Sequence, residues 1–348
     1  MQHPNVVLHD HLDGGLRVET VIELADLVGH TLPSTDPVEL GAWFDQVESG
    51  SLETYLEAFD HTLAVMQTQD ACRRVAAESL ADLADDGAVH VESRFAPLLL
   101  TRHGLAPEAV IEAVLDGFSS AAREREVTWG LIVDAMRSDD NSLQAAELAV
   151  RYSEQGVVAF DLAGPERGYP PEAHLPAINH IREYGLGLTL HAGEAGGLAS
   201  IASAVFRCGA DRIGHGIEIA EDVSSEGAEA VLGGLARRVR DRRVPLEVCP
   251  TSNLATKGWS PEEHPLRDLH RWGFNVTLNT DNRLMSATSM SKEAEFALTS
   301  GLSLDDLARM TRNALAAAFC SEPQRRRHWE QRIAPWYAER GVSVDPRW

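Results

Sequence analysis

Eight short apolar runs, rich in β-branched residues, recur along the 348-residue chain with amphipathic helical stretches between them. This alternation predicts an α/β protein of the TIM-type (β/α)8 barrel class, with parallel strands inside and helices outside. The predicted strands are Val6–His11, Val89–Phe95, Thr128–Asp134, Val157–Asp161, Gly187–His191, Arg212–His215, Pro245–Cys249 and Asn275–Asn279. Histidines or an aspartate stand at or near the ends of four of these runs, which is where such barrels build active sites.

A long insertion follows the first predicted strand. About eighty residues separate it from the second, far more than one βα unit needs, so extra helices must fill the interval. One is predicted at Ser51–Gln67, where apolar residues recur at helical spacing and Ser51 and Thr54 offer N-terminal capping groups. Such a stripe suits ordinary core packing as well as a lid, and we predict a helical lid over the barrel mouth at about residues 16–87.

The later helices carry clear end signals. Gly87 stands just past the predicted helix Asp70–Asp86, and Pro107 lies in the first turn of the predicted helix Pro107–Glu126. No low-complexity linker, internal repeat or Gly/Ser-rich hinge divides the sequence. We therefore predict a single domain over residues 1–348, with extra helices after the first strand and at the C-terminus.

The net charge of the chain limits the kinds of partner that it can bind. Fifty-three acidic against 31 basic residues give a formal net charge of −22, which repels nucleic acids and anionic membrane surfaces and favours a small neutral ligand. No apolar run approaches the roughly 20 residues needed to span a bilayer, and the N-terminus lacks a basic and apolar signal region. We expect a cytoplasmic protein, and the sequence leaves its oligomeric state open.

Several catalytic classes are disfavoured by missing motifs. The four cysteines lack a CxxC pair, which argues against a disulfide framework and a thiolate zinc site and predicts free buried thiols. The HxE…PCxxC signature of cytidine-deaminase-type zinc enzymes is absent, as are GxSxG and P-loop patterns. The chemistry must therefore come from other residues.

Five side chains favour a metal centre. In a strand, the period of two sends His9 and His11 to one face, where both imidazoles can reach a single ion. His191, His215 and Asp281 end the fifth, sixth and eighth predicted strands, whose ends converge on the same face of a barrel. A lone histidine in a strand is more often a hydrogen-bonded structural residue, but the set of five suits zinc.

The motifs, in their order, resemble the adenosine deaminase family of the amidohydrolase superfamily. The resemblance runs from Leu8 to about Phe319. It rests on HxHLDG at His9–Gly14, DLAG at Asp161–Gly164, HAGE at His191–Glu194, GHG at Gly214–Gly216, CPxSN at Cys249–Asn253 and LNTD at Leu278–Asp281. It implies zinc-dependent hydrolytic deamination of adenosine and 2′-deoxyadenosine to inosine and 2′-deoxyinosine, with release of ammonia and a purine nucleoside as the small-molecule partner.

The resemblance also implies a ligand set. His9, His11, His191 and Asp281 match the family's zinc ligands, for one Zn²⁺ per chain with a position left open for water. Catalytic zinc lowers the pKa of bound water from about 15.7 to about 7, so hydroxide is available at neutral pH to attack C6 of the purine. Asp281 is thereby counted among the catalytic residues as well.

Two further matches imply proton handling. His215 matches the family histidine that orients and deprotonates the water, and Glu194 matches the proton donor to purine N1. To donate a proton at pH 7, Glu194 must have a raised pKa, which burial under a closed lid can provide. The alternative for Glu194 is a plain carboxylate at a helix start.

The expected substrate contacts are less specific. Asp13 resembles the residue that accepts a hydrogen bond from a ribose hydroxyl, and Gly164 the one whose backbone N–H meets purine N3; each also suits an ordinary turn. A charged Asp13 near the 5′ position would favour nucleosides over nucleotides. From the predicted lid helix, the expected contacts are Leu52, Tyr55 and Phe59.

Asn282 is the main departure from the family pattern, which commonly has a second aspartate after the ligand. An asparagine donates to purine N7 through its amide without needing a proton, and TDN resembles the actinobacterial members. The alternative substrates are related 6-aminopurines, namely adenine, aminodeoxyfutalosine or a nucleoside-antibiotic intermediate. A non-catalytic binding protein on this fold would be indicated by loss of Glu194 or of a ligand, and neither is lost.

Overall fold

Ten strands are present in the computed structural model, which describes residues 3–46, 48–226 and 229–348. They are β1 (Asn5–His11), β2 (Ala88–Phe95), β3 (Thr128–Met136), β4 (Val157–Ala163), β5 (Gly187–Ala192), β6 (Arg212–His215), β7 (Val223–Glu226), β8 (Glu229–Leu232), β9 (Pro245–Val248) and β10 (Asn275–Leu278). The eight predicted strands are confirmed with ends that differ by at most two residues. The short antiparallel pair β7–β8 was not predicted.

Eight of the ten strands form a parallel barrel in the order β1-β2-β3-β4-β5-β6-β9-β10. It is closed between β10 and β1 by the segment that follows β10. The backbone N–H of Asp281 donates to His9 O and that of His11 to Asp281 O, both at 2.9 Å. The Asn279 side chain adds a further link, because its Oδ1 accepts the Leu8 N–H at 2.9 Å. The predicted TIM-type barrel is thus confirmed.

Helices cover the barrel. They are α1 (Val18–Val28), α2 (Pro37–Phe44), α3 (Leu52–Leu56), α4 (Phe59–Val65), α5 (Gln69–Asp85), α6 (Pro107–Glu124), α7 (Ser142–Arg151), α8 (Leu175–Glu183), α9 (Gly197–Ala202), α10 (Gly234–Asp241), α11 (Pro250–Lys257), α12 (Leu266–Arg271), α13 (Met290–Thr299), α14 (Leu304–Ala317), α15 (Glu322–His328) and α16 (Ala334–Ala338). Two π-helical segments, Ser203–Cys208 and Trp329–Ile333, continue α9 and α15. Short 3₁₀ turns occur at Leu12–Gly14, Pro97–Leu100, Ser153–Gln155, Pro171–His174, Ile217–Asp222 and Pro261–Glu263.

The insertion between β1 and β2 contains α1 to α5, as its length required. The prediction of a single helix at Ser51–Gln67 is wrong, because two separate helices, α3 and α4, occupy this segment. The cause is local, because the N–H of Glu57 bonds to Thr54 O and that of Asp60 to Glu57 O, which are i→i+3 bonds that interrupt the α-helical ladder. The predicted cap is present, since Ser51 Oγ accepts the Thr54 N–H at 3.1 Å.

Apolar side chains fill the layer between strands and helices, whereas charged side chains fill much of the barrel interior. Arg94, Arg212 and Glu247 are each no more than 1% exposed. All four cysteines are free thiols, three of them buried and Cys320 half-buried. Among the described residues, no helix is both long and apolar enough to cross a membrane.

Candidate active site

Four predicted ligands meet at the carboxyl ends of the strands. His9, His11, His191 and Asp281 are buried, and each offers an atom within 4.8 Å of the other three. His9 Nε2 and Asp281 Oδ1 lie 3.2 Å apart but are not aligned for a hydrogen bond, so both lack a partner among the described residues. Buried lone pairs without donors suit a cation, and imidazole with carboxylate is a donor set that zinc accepts.

The strands aim these side chains at one point. His9 and His11 lie on the same face of β1, as predicted, with ring centroids 5.3 Å apart, and His191 faces them from β5. Asp281 comes three residues after β10 and has a φ of 58°, a left-handed conformation that is uncommon outside glycine. Its backbone pairing with β1 holds this conformation, so barrel closure and ligand placement depend on the same residue.

Each ligand imidazole has a carboxylate on its Nδ1 side. The pairs are His9–Glu247 at 3.0 Å, His191–Asp161 at 2.8 Å and His11–Asp134 at 3.4 Å. A carboxylate at Nδ1 holds the imidazole so that the other nitrogen, Nε2, faces the metal site. Sequence reasoning missed Glu247 and Asp134, since they belong to no short motif; their only signal is an inward-facing position on β9 and β3.

Two buried arginines keep two of these carboxylates, Asp161 and Glu247, charged, whereas burial raises the pKa of Asp134 well above its ordinary value. Arg94 donates to Asp161 Oδ2 at 2.5 Å and to Glu247 Oε2 at 2.8 Å. Arg212 donates to Glu247 Oε1 at 2.6 Å and to Glu92 Oε2 at 2.5 Å. Burial opposes ionisation of Glu247, but the two guanidinium groups overcome it and hold its pKa well below the usual range.

Glu194 and His215 lie beside the ligand cluster. With Asp281 they form a second buried group whose polar atoms are within 4.8 Å of one another. Glu194 Oε2 is 3.6 Å from His215 Nε2, and Thr256 Oγ1 donates to Glu194 Oε1 at 2.9 Å. Burial, followed by the nearby charge of Asp281, raises the pKa of Glu194 well above its ordinary value. That direction is the one a proton donor at neutral pH requires.

A carboxylate that sequence reasoning missed shapes the turn carrying Glu194. Glu166 accepts backbone N–H bonds from Gly193 at 2.6 Å, Glu194 at 3.1 Å and Ala195 at 2.7 Å. Burial opposes its charge, yet Arg137 and these N–H groups lower the pKa of Glu166. Its position two residues after the DLAG motif was the available signal. The carboxylate replaces the ladder partners that this turn lacks.

The Cys249–Asn253 motif supplies two polar partners from α11. Ser252 Oγ donates to Asp281 Oδ2 at 2.5 Å. The amide nitrogen of Asn253 lies 3.0 Å from Nδ1 of His215. His215, like Asp281, has a left-handed φ, here 62°. These partners hold two strained strand-end residues at the centre of the site.

A cavity opens over the ligand cluster, with an empty volume of about 790 Å³ including its mouth. All the predicted substrate contacts line it, namely Asp13, Leu52, Tyr55, Phe59, Gly164 and Asn282. The α3 and α4 side chains form one wall and the barrel end forms the other. Among the described residues that line the cavity, none is Lys or Arg, while several are carboxylates.

Two glycines are required by the shape of this cavity. Gly164 has a φ of 89°, and a β carbon there would lie 2.7 Å from Met136 Cε. A β carbon on Gly14 would lie 2.1 Å from Asn282 Oδ1, which is buried without a hydrogen-bond partner in the described structure. Asn282 therefore rests directly on the backbone of the HxHLDG motif.

Asp13 and Tyr55 differ in their surroundings. Burial raises the pKa of Asp13 to about 7, and its Oδ1 has no partner among the described residues. Tyr55 is buried and its hydroxyl lies 2.7 Å from Ser286 Oγ. With a pKa of about 7, Asp13 is only partly ionised at neutral pH, so its negative charge is smaller than expected from the sequence.

Comparisons with known proteins are consistent over nearly the whole chain. The family model described as adenosine deaminase matches residues 4–334. Adenosine deaminase 1 of Streptomyces coelicolor is 49% identical over 346 residues, covering 97% of this chain and 87% of that protein. Among solved structures, adenine deaminase from Arthrobacter aurescens has a TM-score of 0.86 at 26% identity, covering 96% of this chain and 99% of that one. A Burkholderia ambifaria amidohydrolase with bound zinc has a TM-score of 0.83 at 24% identity, covering 97% and 91% of the two chains.

Proposed function

This chain belongs to the adenosine deaminase family, and we propose that it converts adenosine and 2′-deoxyadenosine to inosine and 2′-deoxyinosine with one zinc ion per chain. It is an enzyme, a hydrolase that acts on a C–N bond. The observation that carries the proposal is the buried His9, His11, His191 and Asp281 cluster with Glu194 at its edge.

The ligand cluster fits zinc in its donor atoms and in its partners. Three imidazoles and one carboxylate converge, and the ligand-facing atoms of His9 and Asp281 have no hydrogen-bond partner among the described residues. A zinc ion here would lower the pKa of water to about 7 and so supply hydroxide at neutral pH. The carboxylates behind the histidines would hold Nε2 of each toward a bound ion.

Glu194 is the proposed proton donor to purine N1. A water molecule adds to C6 through its oxygen while the Glu194 proton moves to N1, so that the negative charge of the ring is neutralised as it develops. The proton that the water gives up is taken by the Asp281 carboxylate and restores Glu194 at the end of the turnover. The C6–N bond then breaks, and the amine leaves as ammonia after taking a proton from the added hydroxyl. The pKa of Glu194, raised by burial and by Asp281, keeps the proton available at neutral pH.

The cavity favours a nucleoside over a nucleotide. Asp13 and Asp60 line it, Asp134 lies deeper, and no Lys or Arg is found among its described lining residues. A 5′-phosphate placed there would lose its hydration and meet no Lys or Arg among the described lining residues, so its charge would be buried without compensation and binding would weaken. We propose contacts from Asp13 to the ribose, from the Gly164 N–H to N3 and from Asn282 to N7. Leu52, Tyr55 and Phe59 are proposed to pack over the bound nucleoside.

The proposal is tested by following absorbance in the adenine band with adenosine, 2′-deoxyadenosine, adenine and AMP as substrates. We expect the two nucleosides to be converted with the highest kcat/KM and AMP to be converted poorly. Removal of metal by a chelator should abolish turnover, zinc should restore it, and elemental analysis should give about one zinc per chain. Preference for free adenine, or full activity without metal, would contradict the proposal.

A further inference from the structure

A hydrogen-bond chain connects the start of α12 to His215 through two buried side chains. From it we propose that His264 and Asn253 are positioning residues that keep the His215 proton on Nε2, so that His215 donates a hydrogen bond into the site. The inference rests on the proposed function for its catalytic meaning. It replaces the expectation that His215 accepts the proton of water.

The chain begins at a donor whose direction is certain. The backbone N–H of Leu266, the first residue of α12, points to His264 Nδ1 at 3.1 Å. A backbone N–H can only donate, so His264 Nδ1 must carry a lone pair and its proton must sit on Nε2. Burial lowers the pKa of His264 to about 3, which keeps the ring neutral. Trp259 and Phe296 pack edge-on against this ring.

The next member of the hydrogen-bond chain is Asn253, which is fully buried. His264 Nε2 lies 3.4 Å from Asn253 Oδ1, and because Nε2 holds the proton, Oδ1 is the acceptor. The Asn253 amide nitrogen then faces His215 Nδ1 at 3.0 Å. Turning the amide over would oppose its NH₂ group to the His264 N–H, which are two donors. The orientation of Asn253 is therefore set by His264 rather than by His215.

The last step fixes the His215 tautomer. An amide nitrogen only donates, so His215 Nδ1 holds a lone pair and the single proton of the neutral ring lies on Nε2. That nitrogen faces Glu194 Oε2 at 3.6 Å, and the ring packs against His9 with centroids 4.8 Å apart. With its proton there, Nε2 can orient an attacking oxygen as a donor but cannot accept a proton from it. The Asp281 carboxylate is the remaining acceptor at this point, because Glu194 holds the proton that it donates to N1.

The first test reads the tautomer without measuring activity. The zinc-loaded protein, labelled with ¹⁵N-histidine, is recorded at alkaline pH, where imidazoles are neutral. For His215 and His264 we expect a protonated, pyrrole-type Nε2 and a pyridine-type Nδ1. A His215 ring that carries its proton on Nδ1 overturns the proposal, even in an enzyme that deaminates adenosine normally.

The second test reverses the last bond of the chain. Asn253→Asp keeps the shape but can only accept, so the His215 proton should move to Nδ1. Loss of one preorganised donor should lower kcat about 10²–10³-fold, with zinc content retained and KM changed little. Movement of the proton with unchanged or higher kcat would mean that His215 acts as a base. A proton that stays on Nε2 would mean that the chain does not set the tautomer.

The third test compares two substitutions of His264. His264→Gln keeps a donor for Asn253 Oδ1, whereas His264→Phe removes it, so kcat should fall at least tenfold in the phenylalanine variant and be largely recovered in the glutamine variant. His328→Phe is the matched control, because His328 is another buried histidine and lies beside Thr128 at the opposite end of the barrel. Equal loss of kcat in the phenylalanine and glutamine variants overturns the proposal. Failure of the parent enzyme to deaminate adenosine would instead contradict the proposed function.

Discussion

Substitution of Glu247 should perturb the site strongly, because its single carboxylate lies within hydrogen-bond distance of four side chains. Its Oε2 faces His9 Nδ1 at 3.0 Å and Arg94 at 2.8 Å, while its Oε1 accepts from Arg212 at 2.6 Å and Thr189 at 3.0 Å. In Glu247→Gln, the NH₂ group must occupy one of these ends. Either orientation opposes it to two donors.

The expected losses have two parts. Removing one partner of a buried ion pair destabilises a protein by about 3–5 kcal/mol, since the remaining charge is left uncompensated. Arg94 and Arg212 are both buried, so the free energy of unfolding should fall by about that amount. Loss of the carboxylate behind a ligand histidine weakens metal binding about 10–100-fold, so the Kd for zinc should rise by that factor.

The two parts are separated by a matched control. Glu92→Gln removes a carboxylate from the same network, with bonds to Arg212 and His90 but none to a ligand histidine. Urea unfolding of the metal-free proteins should show comparable losses for both variants. Competition with a chromophoric chelator should show weaker zinc binding only for Glu247→Gln. Equal zinc affinity in the two variants would refute the assigned role of Glu247.

Three further predictions concern the substrate side. Glu194→Gln keeps the shape but cannot deliver a proton, so kcat should fall about 10²–10⁴-fold with zinc retained; near-normal kcat would contradict the role. If Asn282 donates to N7, the transition state with 7-deaza-adenosine should be less stabilised by about 1–3 kcal/mol, which is read from the lower kcat/KM. The Asn282→Asp variant should lose activity as pH rises and its carboxyl ionises, whereas the activity of the parent enzyme should depend less on pH. Equal kcat/KM for adenosine and its 7-deaza analogue would show that N7 is not read. Glu166→Gln places an amide against backbone N–H groups, so kcat should fall at least about tenfold at constant zinc content, and unchanged kcat would show that the turn holds itself.

The strands were predictable because a strand that is buried in the barrel leaves a local signal in the sequence, namely a short run rich in apolar and β-branched residues. Each run that is buried in the barrel is also a short apolar run in the sequence, so the ends of β1 and β6 agree to within one residue. The helix at Ser51–Gln67 was predicted as one piece because apolar spacing does not distinguish i→i+4 from i→i+3 hydrogen bonds. The antiparallel pair β7–β8 was missed because its first strand, Val223–Glu226, has the mostly polar sequence VSSE rather than an apolar run.

The sequence by itself determined the fold class and the set of candidate ligands, because the carboxyl ends of parallel strands must converge and His9, His11, His191 and Asp281 occur at or just beyond those ends. Only the tertiary structure decided what stands behind them. Glu247 is 238 positions from His9, and no local pattern indicates that they meet. The direction of the chain from His264 through Asn253 to His215 likewise depends on which groups become neighbours, since a buried polar group takes the role that its neighbours leave open.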